Sequence, residues 1–565
     1  MGKRSASRII LTGFSATGKS IVGRELARRL GWDFLDVDEE VVRQAGKSIP
    51  QLFEAEGEEG FRRREKKVIR QVLSLERRIV ATGGGAVLDA GNRELFHGSG
   101  MVLCLEARPE TVYERLSKDI ERSGQSAVRP LLAVGNPLER IRSLKAARQP
   151  YYALADFTIH TDDLAPEQVV AEALRDWQSW EGWWSRVPTS REGLTPVCEV
   201  VTLAERYPVY VGWGLRKDLA GLLSSVGLSG AANIISDETV FSLYGKETEG
   251  SLRKAGYMVN SLALPPGEAS KTLDSASKIY DFLVKKRVER GDFILSLGGG
   301  VIGDLAGFVA ATFLRGLPLV HLPTSLVAMV DASIGGKVAV DHPQGKNLIG
   351  AFYQPRLVAA DVQTLTTLPR REFVSGWAEI IKHGLILDAG LVGFLEEKAG
   401  ELLGLDPELL TEAIARSATI KARVVSQDEK ETGIRILLNY GHTIAHGLEA
   451  ASRYEGLLHG EAVAIGMAGA GMVSQRLGLL SLSKVQRQSR LLRKFGLPLS
   501  AVPILSGSDK AKGAVLKAME MDKKVRRKAI RWVILSDIGR AVVRDDVPPE
   551  LASEVVGSLL KVTTG

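Results

Sequence analysis

Arg8-Ile-Ile-Leu-Thr-Gly13-Phe-Ser-Ala-Thr-Gly18-Lys19-Ser20-Ile-Val-Gly-Arg-Glu-Leu-Ala-Arg-Arg-Leu30 sets the architecture expected of the first part of the chain. An apolar run, a glycine-rich turn and a charged amphipathic run follow one another, which predicts strand, loop and helix. Gly13 to Ser20 fit G-x-x-x-x-G-K-[ST] in that context. Glycine there lets the backbone N–H groups of Gly13, Ala16, Thr17 and Gly18 wrap phosphates at a helix N-terminus. Lys19 reaches the outer phosphates, and the Ser20 hydroxyl can hold Mg2+. The stretch predicts a nucleotide site.

Outward from it the alternation continues, through Phe34–Asp38, a long charged helix, Arg78–Gly84 and Met101–Ala107. Strand-like runs separated by helical ones indicate a parallel sheet with crossover helices, a P-loop kinase fold in the α/β class. Asp36 and Asp38 close the second strand, and strand alternation sends both to one side, toward the phosphate cleft. Arg62 lies on the charged helix. Gly83, Gly84 and Gly85 follow a strand and allow close backbone approach to a ligand. Arg129 and Arg148 add two cations.

Between residues 176 and 198 the pattern breaks. Trp177, Trp180, Trp183 and Trp184 crowd into eight residues before a turn-rich linker, and Trp177, Trp180 and Trp184 share one helical face. A helix docking on its own domain accounts for them. The chain of 565 residues exceeds one core at about 150 residues per domain. The expected division is 1–175, a P-loop domain; 176–198, Trp-rich helix and linker; 199–360, a second α/β domain; and 361–565, a mainly helical region of long amphipathic stretches.

Hydrophobic residues make up 45% and charged residues 25%, ordinary for globular protein. The net charge of +7 is interleaved with acidic residues rather than gathered in a stripe, which argues for small anionic substrates and against nucleic acid. Two cysteines, Cys104 and Cys198, far apart, exclude a disulfide framework and a Cys-ligated zinc and suggest a reducing, cytoplasmic setting. The longest run of small apolar residues, Ala462 to Val473, is far short of a membrane span.

In the second part, Gly298-Gly-Gly300-Val301-Ile302-Gly303-Asp304 follows a strand and precedes a helix, satisfying G-x-G-x-x-G. The acidic residue expected about 20 positions later is not evident, so a Rossmann-like dinucleotide site of nonstandard form is expected. Six of eight histidines lie after residue 320. Glu379, His442, His446 and His459 offer a carboxylate and imidazoles without thiolate, a donor set suited to catalytic Zn2+. His442 and His446 are four apart on one helical face, so one or both could bind. Arg315, Lys337, Lys346, Lys382, Lys421 and Arg435, with Asp331 among them, suit a phosphorylated acidic substrate.

Taken together, the first-part motifs resemble the shikimate kinases, over about Ser7 to Ala173. That resemblance implies ATP at Gly13, Ala16, Thr17, Gly18, Lys19 and Ser20, with Arg129 on a lid over it. It implies shikimate at Asp38, Arg62, Gly84, Gly85 and Arg148, with Asp38 orienting or deprotonating the attacking hydroxyl. Mg2+ would be held by Ser20 and, through water, by Asp36. Adenine contacts have no clear counterpart.

The second part, about Val200 to Val562, resembles the 3-dehydroquinate synthases through GGGVIGD, PTSLVAMVDASIGGK, GWAEIIKHG, NYGHTIAHGLE, HGEAVAIGM and DKK in family order. It implies Glu379, His442 and His459 as ligands of Zn2+ or Co2+. NAD+ would lie on Asp237, Glu268, Lys271, Gly300, Val301, Ile302, Gly303, Asp304, Thr324, Ser325, Lys337, Lys346 and Thr367, the last in a loop that departs from the family's form. The substrate, 3-deoxy-D-arabino-heptulosonate 7-phosphate, would meet Arg315, Asp331, Lys337, Lys346, Asn347, Lys382, Lys421, Arg435, Asn439, His446 and one of Lys523 and Lys524. Catalytic roles are implied for Lys19, Asp38 and Arg129 in the first site, and for Asp331, Lys337, Lys382, Lys421, Arg435, Asn439 and His446 in the second. A homodimer through the synthase part is implied as well. A sibling sugar-phosphate cyclase, or one non-catalytic half, is the alternative expectation.

Overall fold

The computed structural model describes residues 7–123, 136–152, 155–162, 164–185, 195–202, 205–431, 433–452, 456–501, 509–524 and 530–560. It divides into two compact units, Met1–Val187 and Pro188–Gly565.

Strand Arg8–Thr12 is the middle of a five-stranded parallel sheet, flanked by Arg78–Ala81 and then Asp33–Asp36 on one side, Met101–Glu106 and then Phe157–His160 on the other. Every residue of Arg8–Thr12 is buried, as a strand covered on both faces requires. Ile10, Val80, Val102 and Cys104 pack with helix Ile49–Val72 on one face. Ile9, Leu11, Ile79 and Leu103 pack with helices Lys19–Leu30 and Pro166–Ser185 on the other. Trp177 belongs to this second cluster and meets Trp32 edge-on at 4.9 Å. The side chains of Trp180, Trp183 and Trp184 lie outside the described residues.

The second unit holds a seven-stranded sheet in the order Cys198–Val201, Arg206–Gly212, Leu357–Asp361, Leu319–Pro323, Phe293–Gly298, Ala232–Asp237 and Val259–Leu264. All neighbours are parallel except the first pair. Val259–Leu264 and Leu357–Asp361 carry weaker sequence signals, the first because most of it is only half-buried and the second because alanine fills its middle. The segment around Lys337 and Lys346, which reads as glycine-rich loop, is instead an antiparallel hairpin of Lys337–His342 and Gly345–Phe352. Val338 and Val340 are buried beneath it, and Gly307 leaves room for Val338 on helix Gly300–Thr312.

From Arg370 onward helices dominate, chiefly Arg370–Leu387, Pro407–Gln427, His442–Ala451 and His459–Arg476. Trp532–Asp537 and Arg540–Arg544 interrupt them as a second hairpin, whose first four residues are buried in the helical core. The small-residue run in His459–Arg476 is core: Ala462 to Ala470 are all buried. No helix among the described residues is long and apolar enough to cross a membrane.

Glycine brings these helices close. A Cβ on Gly466 would sit 2.0 Å from the Gly441 carbonyl oxygen, where backbone faces backbone and no flexible side chain can yield. Gly466→Ala should therefore destabilise the second unit by about 1–3 kcal/mol. Hydrogen–deuterium exchange checks this: amides of His442–Ala451 and His459–Arg476 should exchange faster while those of Arg8–Thr12 keep their protection.

Candidate functional sites

In the first unit the turn after strand Arg8–Thr12 takes its shape from two glycines, at φ 131 for Gly13 and φ 94 for Gly18. A Cβ on Gly13 would meet the Leu105 carbonyl at 2.2 Å. The Lys19 ammonium donates to the carbonyls of Gly13 at 2.9 Å and Phe14 at 2.7 Å, folding back over the loop. Ser20 Oγ donates to Asp36 Oδ2 at 2.7 Å, so the hydroxyl and the carboxylate already share one point. Thr17 is buried and donates to Phe14 O, and Ala16 holds φ 60 beside it. Arg115, not singled out in the sequence, donates to Ala16 O at 3.4 Å and to Thr161 Oγ1 at 3.0 Å.

Asp38, Arg62, Arg148 and the three glycines converge beside this loop. A Cβ on Gly83 would lie 2.7 Å from Asp38 Oδ1 and 2.8 Å from Glu65 Oε1, and one on Gly85 2.2 Å from Arg62 Nη2. Arg148 Nη1 donates to Gly84 O at 3.3 Å, as does the Tyr152 hydroxyl at 2.5 Å. Arg62 Nη1 donates to Glu65 Oε2 at 2.7 Å, while Glu65 Oε1 is buried without a hydrogen bond. Burial pushes the Glu65 carboxyl up to about 7, against the pull of Arg62. Glu65 is the residue that sequence reading missed; its place three positions after Arg62 on one helix was the available signal. Arg129 lies outside the described residues.

In the second unit, helix Gly300–Thr312 starts at the carboxyl end of strand Phe293–Gly298, so Gly300, Val301, Ile302, Gly303 and Asp304 form its first turn. A cleft there is lined by Gly298, Gly299, Gly300, Gly303, His321 and Ser333. The Thr324 amide donates to Gly298 O at 3.0 Å, and Ser325 Oγ lies near Gly299. Lys271 binds both Asp304 Oδ2 and Asn347 Oδ1 at 2.5 Å, and Lys346 pairs with Glu268 at 2.9 Å. Burial raises Asp304 to about 6 despite Lys271. Asp237 ends its strand and accepts from the Val240 amide at 2.9 Å. Thr367 Oγ1 hydrogen-bonds the Tyr244 hydroxyl.

Glu379 is fully buried on helix Arg370–Leu387, and neither carboxylate oxygen has a hydrogen bond. His459 Nε2 lies 3.7 Å and His442 Nε2 3.9 Å from Glu379 Oε1, with donor atoms of all three within 4.8 Å of one another. His459 Nδ1 is 3.0 Å from Glu449 Oε1, and His442 Nδ1 is 3.3 Å from Tyr440 O, so the Nε2 atoms point inward. Burial alone would raise Glu379, but the Lys382 ammonium against it, followed by His459 and His442, holds it well below the usual carboxylate range. Burial lowers His442 well below the ordinary imidazole value. For His459 burial is outweighed by Glu379 and Glu449, which raise it.

Around this triad stand Asp331 paired with Lys421, Lys337 paired with Glu431, and Asn439 Nδ2 donating to Glu431 Oε1 at 2.8 Å. Burial lowers the Lys421 ammonium to about 8 against the pull of Asp331. Arg435 Nη2 donates to Gly335 O at 3.1 Å, beside the Lys337 strand. The His446 ring lies 5.5 Å from that of His442. Glu431 and Glu449 were missed in the sequence. Glu449 could have been found at three positions past His446 on the same helix, whereas nothing local marks Glu431. Arg315 sits in the turn Phe313–Arg315 at φ 66; a Cβ on the next residue, Gly316, would lie 3.2 Å from the Tyr353 hydroxyl, and the Tyr353 amide donates to Gly336 O, beside Lys337. Lys523 lies in helix Asp509–Lys524, with its side chain outside the described residues.

The family models match in the same order. Shikimate kinase covers residues 15–178, 3-dehydroquinate synthase N-terminal 261–375 and 3-dehydroquinate synthase C-terminal 376–525. A 3-dehydroquinate synthase of Crocosphaera subtropica is 47% identical over 336 residues, 59% of this chain and 91% of that protein. One from a Geobacter species is 47% identical over 340 residues, 60% and 92%. Among solved structures, a 2-deoxy-scyllo-inosose synthase complexed with carbaglucose-6-phosphate, NAD+ and Co2+ is 26% identical, with TM-score 0.57, covering 64% of this chain and all of that one. A 2-epi-5-epi-valiolone synthase from Streptomyces hygroscopicus with NAD+ and Zn2+ bound is 27% identical, with TM-score 0.57, covering 66% and 99%. The chain belongs to the 3-dehydroquinate synthase family and carries a shikimate kinase domain ahead of the synthase segment.

Proposed function

We propose that the two clusters are the active sites of the chain's two activities in the shikimate pathway. In the first, within residues 1–175, ATP phosphorylates shikimate. In the second, built between residues 199–360 and 361–565, 3-deoxy-D-arabino-heptulosonate 7-phosphate becomes 3-dehydroquinate and phosphate. The observation that carries the second reading is the buried Glu379 carboxylate, short of hydrogen bonds and faced by two imidazole Nε2 atoms. Such a donor set fits Zn2+ or Co2+, and Glu449 orients His459 as an outer carboxylate does in metal sites. The fold's cyclases bind NAD+ with Co2+ or Zn2+, and the glycine-lined helix start suits NAD+ here. Identity of 47% to synthases against 26–27% to those cyclases favours the synthase reaction.

When bound, NAD+ supplies a reversible hydride acceptor and the metal a Lewis acid. The chain's own groups do the rest. Lys337, Lys346, Asn347, Arg435 and Asn439 hold the phosphate and carboxylate, displacing Glu431 from Lys337. Lys382, Lys421 and Asp331 orient the substrate hydroxyls, and His446 moves a proton at the ring oxygen. In the kinase site Asp38 accepts the shikimate hydroxyl proton, while Arg62 and Arg148 grip its carboxylate, a planar match that Lys lacks. Lys19 steadies the transferring phosphoryl, Ser20 and Asp36 hold Mg2+, and Arg129 belongs to the same site.

A homodimer through the synthase part fits the exposed Leu314, Leu348 and Phe352 on its turn and hairpin; sedimentation giving one chain per particle would overturn it. The two unpaired cysteines fit a cytoplasmic setting.

The direct test is product identity. With NAD+ and Zn2+ the purified chain should release phosphate from its heptulosonate substrate and form 3-dehydroquinate without net NADH; a different cyclised product would make it a sibling cyclase.

Two consequences follow for single groups. Lys337→Ala should raise KM for the phosphorylated substrate about 10–100-fold, the loss expected of a charge-assisted hydrogen bond, with shikimate phosphorylation untouched; an unchanged KM removes Lys337 from the phosphate site. Glu65, its carboxyl raised to about 7, is neutral below that pH and ionised above it. Once ionised it competes with the shikimate carboxylate for Arg62. Shikimate KM should therefore rise between about pH 6 and pH 8, and Glu65→Gln should flatten the rise; a flat profile in the parent would contradict this.

A further inference from the structure

Helices Arg370–Leu387 and Pro407–Gln427 meet through a hydrogen bond that the chemistry above does not use. His383 Nδ1 lies 2.8 Å from Ser417 Oγ, and both side chains are fully buried. The other ring nitrogen, Nε2, is buried without a hydrogen-bond partner. A ring nitrogen of His383, an oxygen of Asp331 and an oxygen of Glu379 lie within 4.8 Å of one another. With Nδ1 taken by Ser417, Nε2 is the ring nitrogen left to serve the two carboxylates.

Two other readings of this cluster fail on charge and on polarity. As a second metal site it would set a dication among ammonium groups, since Lys382 already lies against Glu379 and Lys421 against Asp331. Those ammoniums supply the positive charge that a cation would bring. As a plain core histidine it would leave a polar nitrogen unmade beside two carboxylates, at a desolvation penalty of about 1–3 kcal/mol.

The tautomer follows from the neighbours. If Nδ1 carried the proton and gave it to Ser417, the Nε2 lone pair would face two anions. If the Ser417 hydroxyl donates to Nδ1 instead, Nε2 carries the proton and presents a donor to them. We propose that His383, fixed in this tautomer by Ser417, is a positioning residue for Glu379: its Nε2–H serves the Glu379 and Asp331 carboxylates through one buried water and holds Glu379 in the orientation that faces His442 and His459. Glu379, Lys382 and His383 share one helix face at three- and four-residue spacing, so the same helix carries the ligand and its brace. The inference rests on the reading of Glu379 as a metal ligand.

The test is Zn2+ affinity of the full chain, read by competition with a chromogenic chelator and so independent of turnover. Loss of an outer partner should weaken binding about 10–100-fold in His383→Leu and about 3–10-fold in Ser417→Ala, with His383→Gln, which keeps an N–H near Nε2, within about threefold of the parent. Affinity within about twofold of the parent in Ser417→Ala and His383→Leu overturns the proposal, as does equal loss in His383→Gln and His383→Leu. Ser417→Ala removes a single oxygen and decides alone if His383→Leu does not fold. Parental affinity in Glu379→Gln is a separate outcome: it overturns the ligand reading itself, and with it this one.

Discussion

A carboxylate held in the protein interior without hydrogen bonds must be answered by charge, and around Glu379 the answer comes from four directions. Lys382 reaches it along its own helix, His442 and His459 face it from two others, and the Asp331–Lys421 pair stands close by. An isolated buried carboxylate would take up a proton. Here the neighbours keep it ionised and thereby ready to act as a ligand. The close packing at Gly466 and Gly441 keeps the histidine helices together, and the glycine-led helix Gly300–Thr312 starts at the carboxyl end of an interior strand, where Gly300 and Ser333 line a cleft. Much of the second unit's architecture is a frame for that one charge.

The kinase site follows the same logic on a smaller scale. Arg62 is held by Glu65 and Lys19 by the carbonyls of its own loop, so each of these cations rests on an internal acceptor, which on the proposed reading a substrate anion replaces. Lys337 on Glu431 repeats the device in the synthase site. Cations parked this way are held near one position, which lessens the ordering that substrate must impose on arrival.

What was legible in the sequence were contacts made within a short span. The Gly13–Ser20 loop, the Gly298–Asp304 turn, and the histidines on amphipathic helices declare themselves because strand, turn and helix periodicity act over a few residues. Lys337 and Glu431 lie 94 positions apart and Asp331 and Lys421 90 apart, so no local pattern joins them. The hairpin around Lys337 does not declare itself in the sequence, because glycine and lysine mask the alternation of Val338 and Val340.

Two reactions that are not consecutive share this chain, each in a unit with its own core. The central claim is that Glu379, His442 and His459 hold one metal ion on which only the synthase reaction depends. It is tested most directly by titrating the metal-stripped chain with Zn2+ while following both reactions. On this reading phosphate release from the heptulosonate substrate climbs and saturates at about one equivalent per chain, fails to climb in Glu379→Gln, and leaves Mg2+-dependent shikimate phosphorylation unchanged throughout. Full phosphate release from the stripped chain, or undiminished recovery in Glu379→Gln, would contradict it.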